Sequence, residues 1–322
     1  MIKVLVSGVG GDVGQGVIKC LNKSALELEI YKISSSADDS WLYIDENSYI
    51  SPSIYDNYVP YLIDFIKEHT IDIFFPCIDL EIPIMAKNKH SIEEKTGCIV
   101  FVGEPHKIHI CNDKYMTARF LKDFDLPYPS TSLVKDNEYD LFPLIIKTRE
   151  GCGSKDIHKV TNKDEILPFV GDNDYIAQEY LKGDEYTAGI YLGDDQEIKG
   201  ICVLKRKLKD GSTYTAERIK NPEYEKTLIQ LAKSLGLKYI NVQFRLKNGS
   251  VCPFELNGRF SGTTGIISKV FNAPEMAIRE KILNEKIEPA PNDEAFYVMR
   301  FYDEIYASET QRQELINRRI YD

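Results

Sequence analysis

The stretch from Tyr239 to Gly265, YINVQFRLKNGSVCPFELNGRFSGTTG, leaves this chain the least freedom. It reads as two strands joined by a turn. Ile240, Val242, Phe244 and Leu246 alternate with Asn241, Gln243 and Arg245. Cys252, Phe254 and Leu256 alternate with Val251, Pro253, Glu255 and Asn257. A period of two puts alternate side chains on opposite faces of a strand, and Asn248-Gly249 is a hairpin turn signal. A strict two-residue turn sets Gln243 opposite Phe254, polar against apolar. A slip of one residue, through a three-residue turn or a bulge near Gly249, pairs Phe244 with Phe254, Val242 with Leu256 and Leu246 with Cys252. It also sets Gln243 opposite Glu255 and Asn241 opposite Asn257. Burial of one face selects this second register. Pro253 has no N–H for a ladder, so an irregularity is expected beside it.

The other face then carries Gln243, Glu255 and Asn257. Oxygen-bearing side chains suit a hard cation such as Mg²⁺, which takes one or two carboxylates together with phosphates and water. Arg259 follows two residues after Asn257 and offers a rigid fork to a phosphate. The plain alternative is the solvated outer face of an ordinary antiparallel hairpin.

NVQF, a turn, and FELNGRFSG resemble the metal-binding hairpin of the ATP-grasp superfamily. The likeness is closest to the large subunit of carbamoyl phosphate synthetase, with its Glu-x-Asn-x-Arg run. It implies that Gln243, Glu255 and Asn257 bind Mg²⁺, with Mn²⁺ as an alternative, and that Arg259 contacts the transferring phosphate. Gly258 stands where many relatives have proline.

Residues 2–7, IKVLVS, form an apolar strand, followed by GVGGDVGQG and a helix through Val17, Ile18 and Leu21. Strand, glycine loop and helix open a doubly wound α/β domain. The loop is not a clean G-x-G-x-x-G, and the next strand ends in Ser34-Ser35-Ser36 where a ribose-binding acid is expected of a dehydrogenase. A tight turn, or an anion held at the helix N-terminus, explains the glycines as well. A helix at 56–68, strands at 71–76 and 98–103 and a connector from Glu104 to Cys111 complete this domain. Cys77-Ile78-Asp79-Leu80-Glu81 opens a helix between those strands. Helix N-terminal placement explains both acids, and the segment also resembles the family's Pro-x-x-Asp-x-Glu, which faces the substrate cleft.

Asn112-Asp113 caps a helix to about Phe124, with Lys114 in its first turn, where a cation is electrostatically disfavoured. Pro143 to Lys147 reads as a strand ending in lysine, followed by TREGCGSKDIHKV. Gly151, Gly153 and Ser154 form a loop whose backbone amides can wrap phosphates. The lysine precedes the glycines and a strand follows, so this is no Walker loop. It resembles the ATP-grasp phosphate lid, although Asp156 stands where many relatives have glycine. A glycine-rich hairpin is the bland reading. The strand DYIAQEYL leads to KGDEYTAGIYL, an extended segment whose alternate N–H and C=O groups suit adenine. The resemblance implies adenine at Glu179, Tyr180 and Leu181, ribose at Glu185, and nucleotide phosphates at Lys114 and Lys147. Lys205-Arg206-Lys207 ends a strand, and Arg206 is a candidate partner for an anionic substrate or the γ-phosphate. Asn221-Pro222 starts a helix with Leu228, Leu231, Ala232 and Leu235 on its apolar side, ended by Gly236.

Bulk properties narrow the class. The chain has 322 residues, 43% of them hydrophobic, enough for two or three lobes. A net charge of −10 without a Lys/Arg block argues against nucleic-acid or membrane-surface binding. Seven cysteines without a C-x-x-C pair argue against zinc or a disulfide framework. A start directly in a strand and the lack of a long apolar run suggest a cytoplasmic protein.

The expected fold is thus α/β and α+β: an ATP-grasp fold with a Rossmann-like N-terminal domain at 1–111, a small lobe at 112–181 and a large lobe at 182–322. The resemblance covers about residues 1 to 285, with four motifs in family order. It implies an ATP-dependent carboxylate–amine ligase working through an acyl phosphate on small-molecule substrates, amino acids among the candidates, and a homodimer as one assembly. A kinase with the same cradle, or an inactive nucleotide binder, is the alternative.

Overall fold

The computed structural model describes all residues except 137, 138, 140, 152–155, 292, 293 and 319–322. The chain divides into two compact units, one from 1–105, 259–292 and 299–322, the other from 106–258 and 293–298.

The first unit is built on a parallel sheet of β1 (Ile2–Ser7), β2 (Leu28–Ser34), β3 (Ser48–Ile50), β4 (Ile73–Phe75) and β5 (Ile99–Val100), in the order β3-β2-β1-β4-β5. Val4, Leu5, Val6, Ile73, Phe74 and Phe75 have no exposed surface. Their continuous apolar runs are those of strands covered on both faces. Helices α1 (Asp12–Leu21), α2 (Tyr58–His69) and α3 (Glu81–Thr96) connect the strands. A Cβ on Gly14 would stand 2.5 Å from the Gly8 carbonyl, so the glycine loop serves the close approach of α1 to β1.

The connector expected at 104–111 is instead a helix, α4 (Pro105–Asn112). Pro105 supplies a first-turn residue with its φ already set, and Ile108 and Cys111 are buried at i, i+3 spacing. Two buried positions among polar neighbours give too short a period to be read from sequence.

The second unit holds two antiparallel sheets. One has β6 (Thr131–Leu133), β7 (Leu144–Thr148), β8 (Ile157–Val160) and β9 (Tyr175–Glu179), in the order β6-β9-β7-β8. The other has β10 (Glu185–Leu192), β11 (Ile198–Lys209), β12 (Ser212–Ile219), β13 (Tyr239–Lys247), β14 (Ser250–Asn257) and β15 (Tyr297–Met299), in the order β14-β13-β10-β11-β12-β15. Helix α5 (Lys114–Asp123) is capped by Asp113, and α6 (Pro222–Leu235) by Asn221. Gly236 ends α6 in the left-handed conformation. The first unit is α/β and the second α+β, as the sequence predicts.

The hairpin departs from its expected register at one end. Asn241 pairs with Asn257, Val242 with Leu256 and Gln243 with Glu255 as predicted. Beyond them Phe244 pairs with Pro253 and Leu246 with Val251, not with Phe254 and Cys252. The turn is the strict two-residue one, with Asn248 at φ 53° and Gly249 at φ 80°, values of a type I′ turn. The extra residue is Phe254, placed in a bulge beside Pro253, where the ladder already lacks a donor.

Among the described residues, α7 (Thr264–Ile267) and α8 (Ala273–Lys281) follow the hairpin, and the tail carries α9 (Glu309–Asn317) with a Ser308–Gln311 capping box. No helix among the described residues is long and apolar enough to cross a membrane.

Candidate functional site

One face of the six-stranded sheet carries a row of hydrogen-bonded polar side chains. Arg206 on β11 donates through Nη2 to Glu185 Oε1 on β10 at 2.7 Å and to Gln243 Oε1 on β13, also at 2.7 Å. Gln243 Nε2 donates to Glu255 Oε1 on β14 at 3.0 Å, and Asn257 Nδ2 donates to the same oxygen at 3.2 Å. Arg245 closes the other side of Glu185, with Nη2 3.1 Å from Oε2 and Nη1 2.5 Å from the Gly183 carbonyl. The sheet order explains the row, since Glu185 stands opposite Arg206 and Gln243 opposite Glu255.

Lys147 is the penultimate residue of β7 in the four-stranded sheet and is only 5% exposed. Its Nζ lies 5.6 Å from the centre of the Phe254 ring. Among the described residues no hydrogen bond or ion pair ends on that ammonium. Burial pulls its pKa down to about 8, against the pull of Glu255 and with a push from Lys114. A buried, unpaired ammonium is an anion site in waiting.

Lys114 sits at the start of α5 for a reason that explains its odd electrostatics. Its Nζ donates to the carbonyls of Gly151 at 3.1 Å and Arg149 at 3.3 Å. Its own N–H donates to the Arg149 carbonyl. The cap Asp113 also accepts from the Arg149 guanidinium, which holds that carboxyl below its usual range despite burial. The end of β7 is therefore fastened to α5 just before the glycine loop. Of that loop, Gly151 has φ +125°, while Gly153 and Ser154 lie outside the described residues. Asp156, where relatives have glycine, adopts φ 56°. It is held there by Tyr175 OH and by His158 Nε2 at 2.6 Å.

Residues 111–263 match the ATP-grasp domain family. The match takes in just under half of the chain and includes the hairpin that carries Gln243, Glu255 and Asn257. The chain is 23% identical over 217 residues to the carbamoyl-phosphate synthase of Methanobrevibacter smithii, covering 60% of this chain and 58% of that one. It spans 50% and 20% of the length of two further curated relatives. Among solved structures it is similar to N5-carboxyaminoimidazole synthetase of Staphylococcus aureus complexed with ADP, with TM-score 0.72, 14% identity, and coverage of 93% of this chain and 82% of that one. It is similar also to L-amino acid ligase of Bacillus licheniformis, with TM-score 0.65, 14% identity, and coverage of 88% and 74%.

Within the matched region the expected hinge is firmly held. Glu179 N–H donates to the Ser130 carbonyl at 2.8 Å, and Glu179 Oε2 accepts from Lys247 Nζ at 2.7 Å and from Ser130 N–H at 3.1 Å. Tyr180 N–H donates to the Pro143 carbonyl, and the Tyr180 ring lies 4.2 Å from Lys159 Nζ. Leu181 is buried.

The donor set suits Mg²⁺ at two of its three members. Glu255 supplies a carboxylate and Asn257 an amide oxygen, both hard donors. The Gln243 oxygen is turned onto the Arg206 guanidinium, and the reverse amide orientation would set donor against donor.

Arg259 belongs to the first unit, where its Nε donates to Asp79 Oδ1 at 2.5 Å. Glu81 is fully buried and is a structural acid: it accepts from Ser7 Oγ at 2.5 Å, from the N–H groups of Cys77 and Ile78, and from Tyr58 OH.

Phe254, Arg245 and Arg149 were not among the sequence candidates. Arg245 had a signal, two residues from Gln243 on the same strand face. Phe254 had none, because alternation assigns it to the apolar face and only the bulge beside Pro253 brings its ring to Lys147.

Proposed function

We propose that this chain is an ATP-dependent carboxylate–amine ligase. The observation that carries the reading is the unbroken row Glu185–Arg206–Gln243–Glu255–Asn257 with the buried Lys147, unpaired among the described residues, beside it. A phosphoryl transfer needs positioned cations and a carboxylate-held metal more than it needs a protein nucleophile, and this row supplies those parts.

Lys147 and Lys114 bind the phosphates of ATP, with Gly151, Gly153 and Ser154 offering backbone amides. Glu179, Tyr180 and Leu181 take the adenine, and Glu185 the ribose. Glu255 and Asn257 hold Mg²⁺, which when bound draws charge off the phosphate oxygens. Gln243 links Arg206 to Glu255 and orients that carboxylate beside Asn257. Arg206 meets the anionic substrate, and Arg259 is assigned to the transferring phosphate by the family likeness alone.

In the reaction a substrate carboxylate oxygen attacks the γ-phosphorus and the bond to ADP breaks, giving an acyl phosphate. An amine attacks the acyl carbon, an amide bond forms, phosphate leaves and the ammonium proton is released. The likeness to an L-amino acid ligase supports amino acids as substrates, and a homodimer is one assembly the chain could form.

Hydroxylamine tests this. It intercepts an acyl phosphate as a hydroxamate, so a panel of amino acids and other carboxylates with ATP is expected to yield hydroxamate for the true acid, and ADP, phosphate and amide in equal amounts with the true amine. A stable phosphorylated product and a blank hydroxamate assay would make the protein a kinase.

A further inference from the structure

Arg259 is gripped on two sides within the first unit. Its Nε and Nη2 are both turned onto Asp79 Oδ1, and its Nη1 donates to the Phe260 carbonyl at 2.6 Å. A guanidinium has five N–H donors. With these three engaged, one remains on Nη1 and one on Nη2, with no partner among the described residues.

Both grips are anchored in the parallel sheet. Phe260 stacks on Phe101 with ring centres 5.3 Å apart and meets Phe75 of β4 edge-on at 5.5 Å. Asp79 lies in the short turn between β4 and α3. That turn is tied down by Glu81, which accepts from the N–H groups of Cys77 at 3.2 Å and Ile78 at 3.3 Å while bonding Ser7 of β1 and Tyr58 of α2. The Asp79 side chain is one-third exposed and that of Arg259 13% exposed. The pair is therefore sheltered enough for its geometry to persist, yet open enough for a small anion to reach the guanidinium.

We propose that Asp79 is the positioning residue of Arg259, turning the guanidinium so that its two remaining N–H groups are presented to an anion, with Glu81 holding Asp79 in place. The ligase reading enters only in identifying that anion as a carboxylate or phosphate of the reaction. A carboxylate on the Nε edge leaves the terminal nitrogens for end-on recognition of a second oxyanion, a division of labour that a lysine could not provide.

The test uses the full chain and two readouts. In the nitrogen-15 spectrum of arginine side chains, with Arg259 assigned through Arg259→Lys, the Arg259 Nε–H is expected to exchange slowly with water in the native protein. It should exchange on the order of tenfold faster in the isosteric Asp79→Asn, which loses the charge-assisted bond, and recover in Asp79→Glu. In steady-state turnover Asp79→Asn should lower kcat about 10- to 100-fold while the KM for ATP changes by no more than about twofold, with partial rescue by Asp79→Glu. A purely structural pair would lower the melting temperature without this split. An Nε–H signal indifferent to Asp79→Asn, or kcat unchanged in that variant, overturns the proposal. If the native protein turns over no ATP with any carboxylate, the ligase reading falls, and the positioning role then stands only if inorganic phosphate shifts the Arg259 guanidinium signals in the native protein and not in Asp79→Asn.

Discussion

At the scale of single residues the site is a matter of where charge is left uncompensated. Lys147 is buried beside an aromatic ring, and its pKa is drawn down to about 8 by burial. Two consequences differ in sign. Between about pH 8 and the ordinary lysine range the unfolded chain holds a proton that the folded chain has released, so this group makes stability rise with pH there. ATP, however, needs the charged form, so its dissociation constant should climb above about pH 8, approaching tenfold per pH unit; calorimetric titration of ATP from pH 7 to 9.5 checks this, and Lys147→Met should abolish the dependence. Glu255 accepts from Gln243 and Asn257 and is the only carboxylate of the proposed metal set. Glu255→Ala should therefore lower turnover by hundreds-fold or more, since a lost metal ligand removes several kcal/mol of charge stabilisation. Near-normal turnover in that variant would remove Glu255 from the metal site.

At the scale of elements, two sequence rules compete in the hairpin and both are obeyed. Asn248-Gly249 forms its two-residue turn, and the polar face keeps Gln243 opposite Glu255. The mismatch of one residue is absorbed at Phe254, next to the one residue of the strand that has no N–H to lose. Pro253 marks an irregularity in the sequence, but the extra residue expected at Gly249 sits at Phe254, because nothing local says which end of a strand bulges. Glycines test the same elements. A Cβ at Gly249 meets nothing within 4 Å, so Gly249→Ala should cost only the positive-φ penalty of about 1 kcal/mol. At Gly14 the Cβ would stand 2.5 Å from a backbone carbonyl, and Gly14→Ala should cost about 1–3 kcal/mol as α1 is forced off β1. Urea unfolding of the two variants side by side gives both values; equal losses would mean that α1 does not need its close approach.

At the scale of the whole molecule, nucleotide binding should be visible as stability. A ligand that binds only the folded chain at about 100 times its dissociation constant adds about 2.7 kcal/mol. Mg²⁺ and ATP together are thus expected to raise the melting temperature by several degrees, and Lys147→Ala should erase most of the shift while leaving the unliganded melting temperature at or above that of the native chain, because burying an alanine side chain avoids burying a charge. A shift of equal size in Lys147→Ala would place the phosphates elsewhere.

What the sequence by itself determined is local. Alternation along β13 and β14 set Gln243, Glu255 and Asn257 on one face, Asp113 and Asn221 were legible as caps, and apolar runs announced the parallel sheet. These depend on neighbours two to four positions apart, which spacing encodes. Only the tertiary structure decided that the Gln243 oxygen faces Arg206, that Lys114 fastens the end of β7, and that Asp79 grips Arg259 across 180 residues of chain. Those contacts join strands and turns that are adjacent in space and remote in sequence. Their partners are chosen by sheet order and by where a bulge falls, and no spacing along the chain records either.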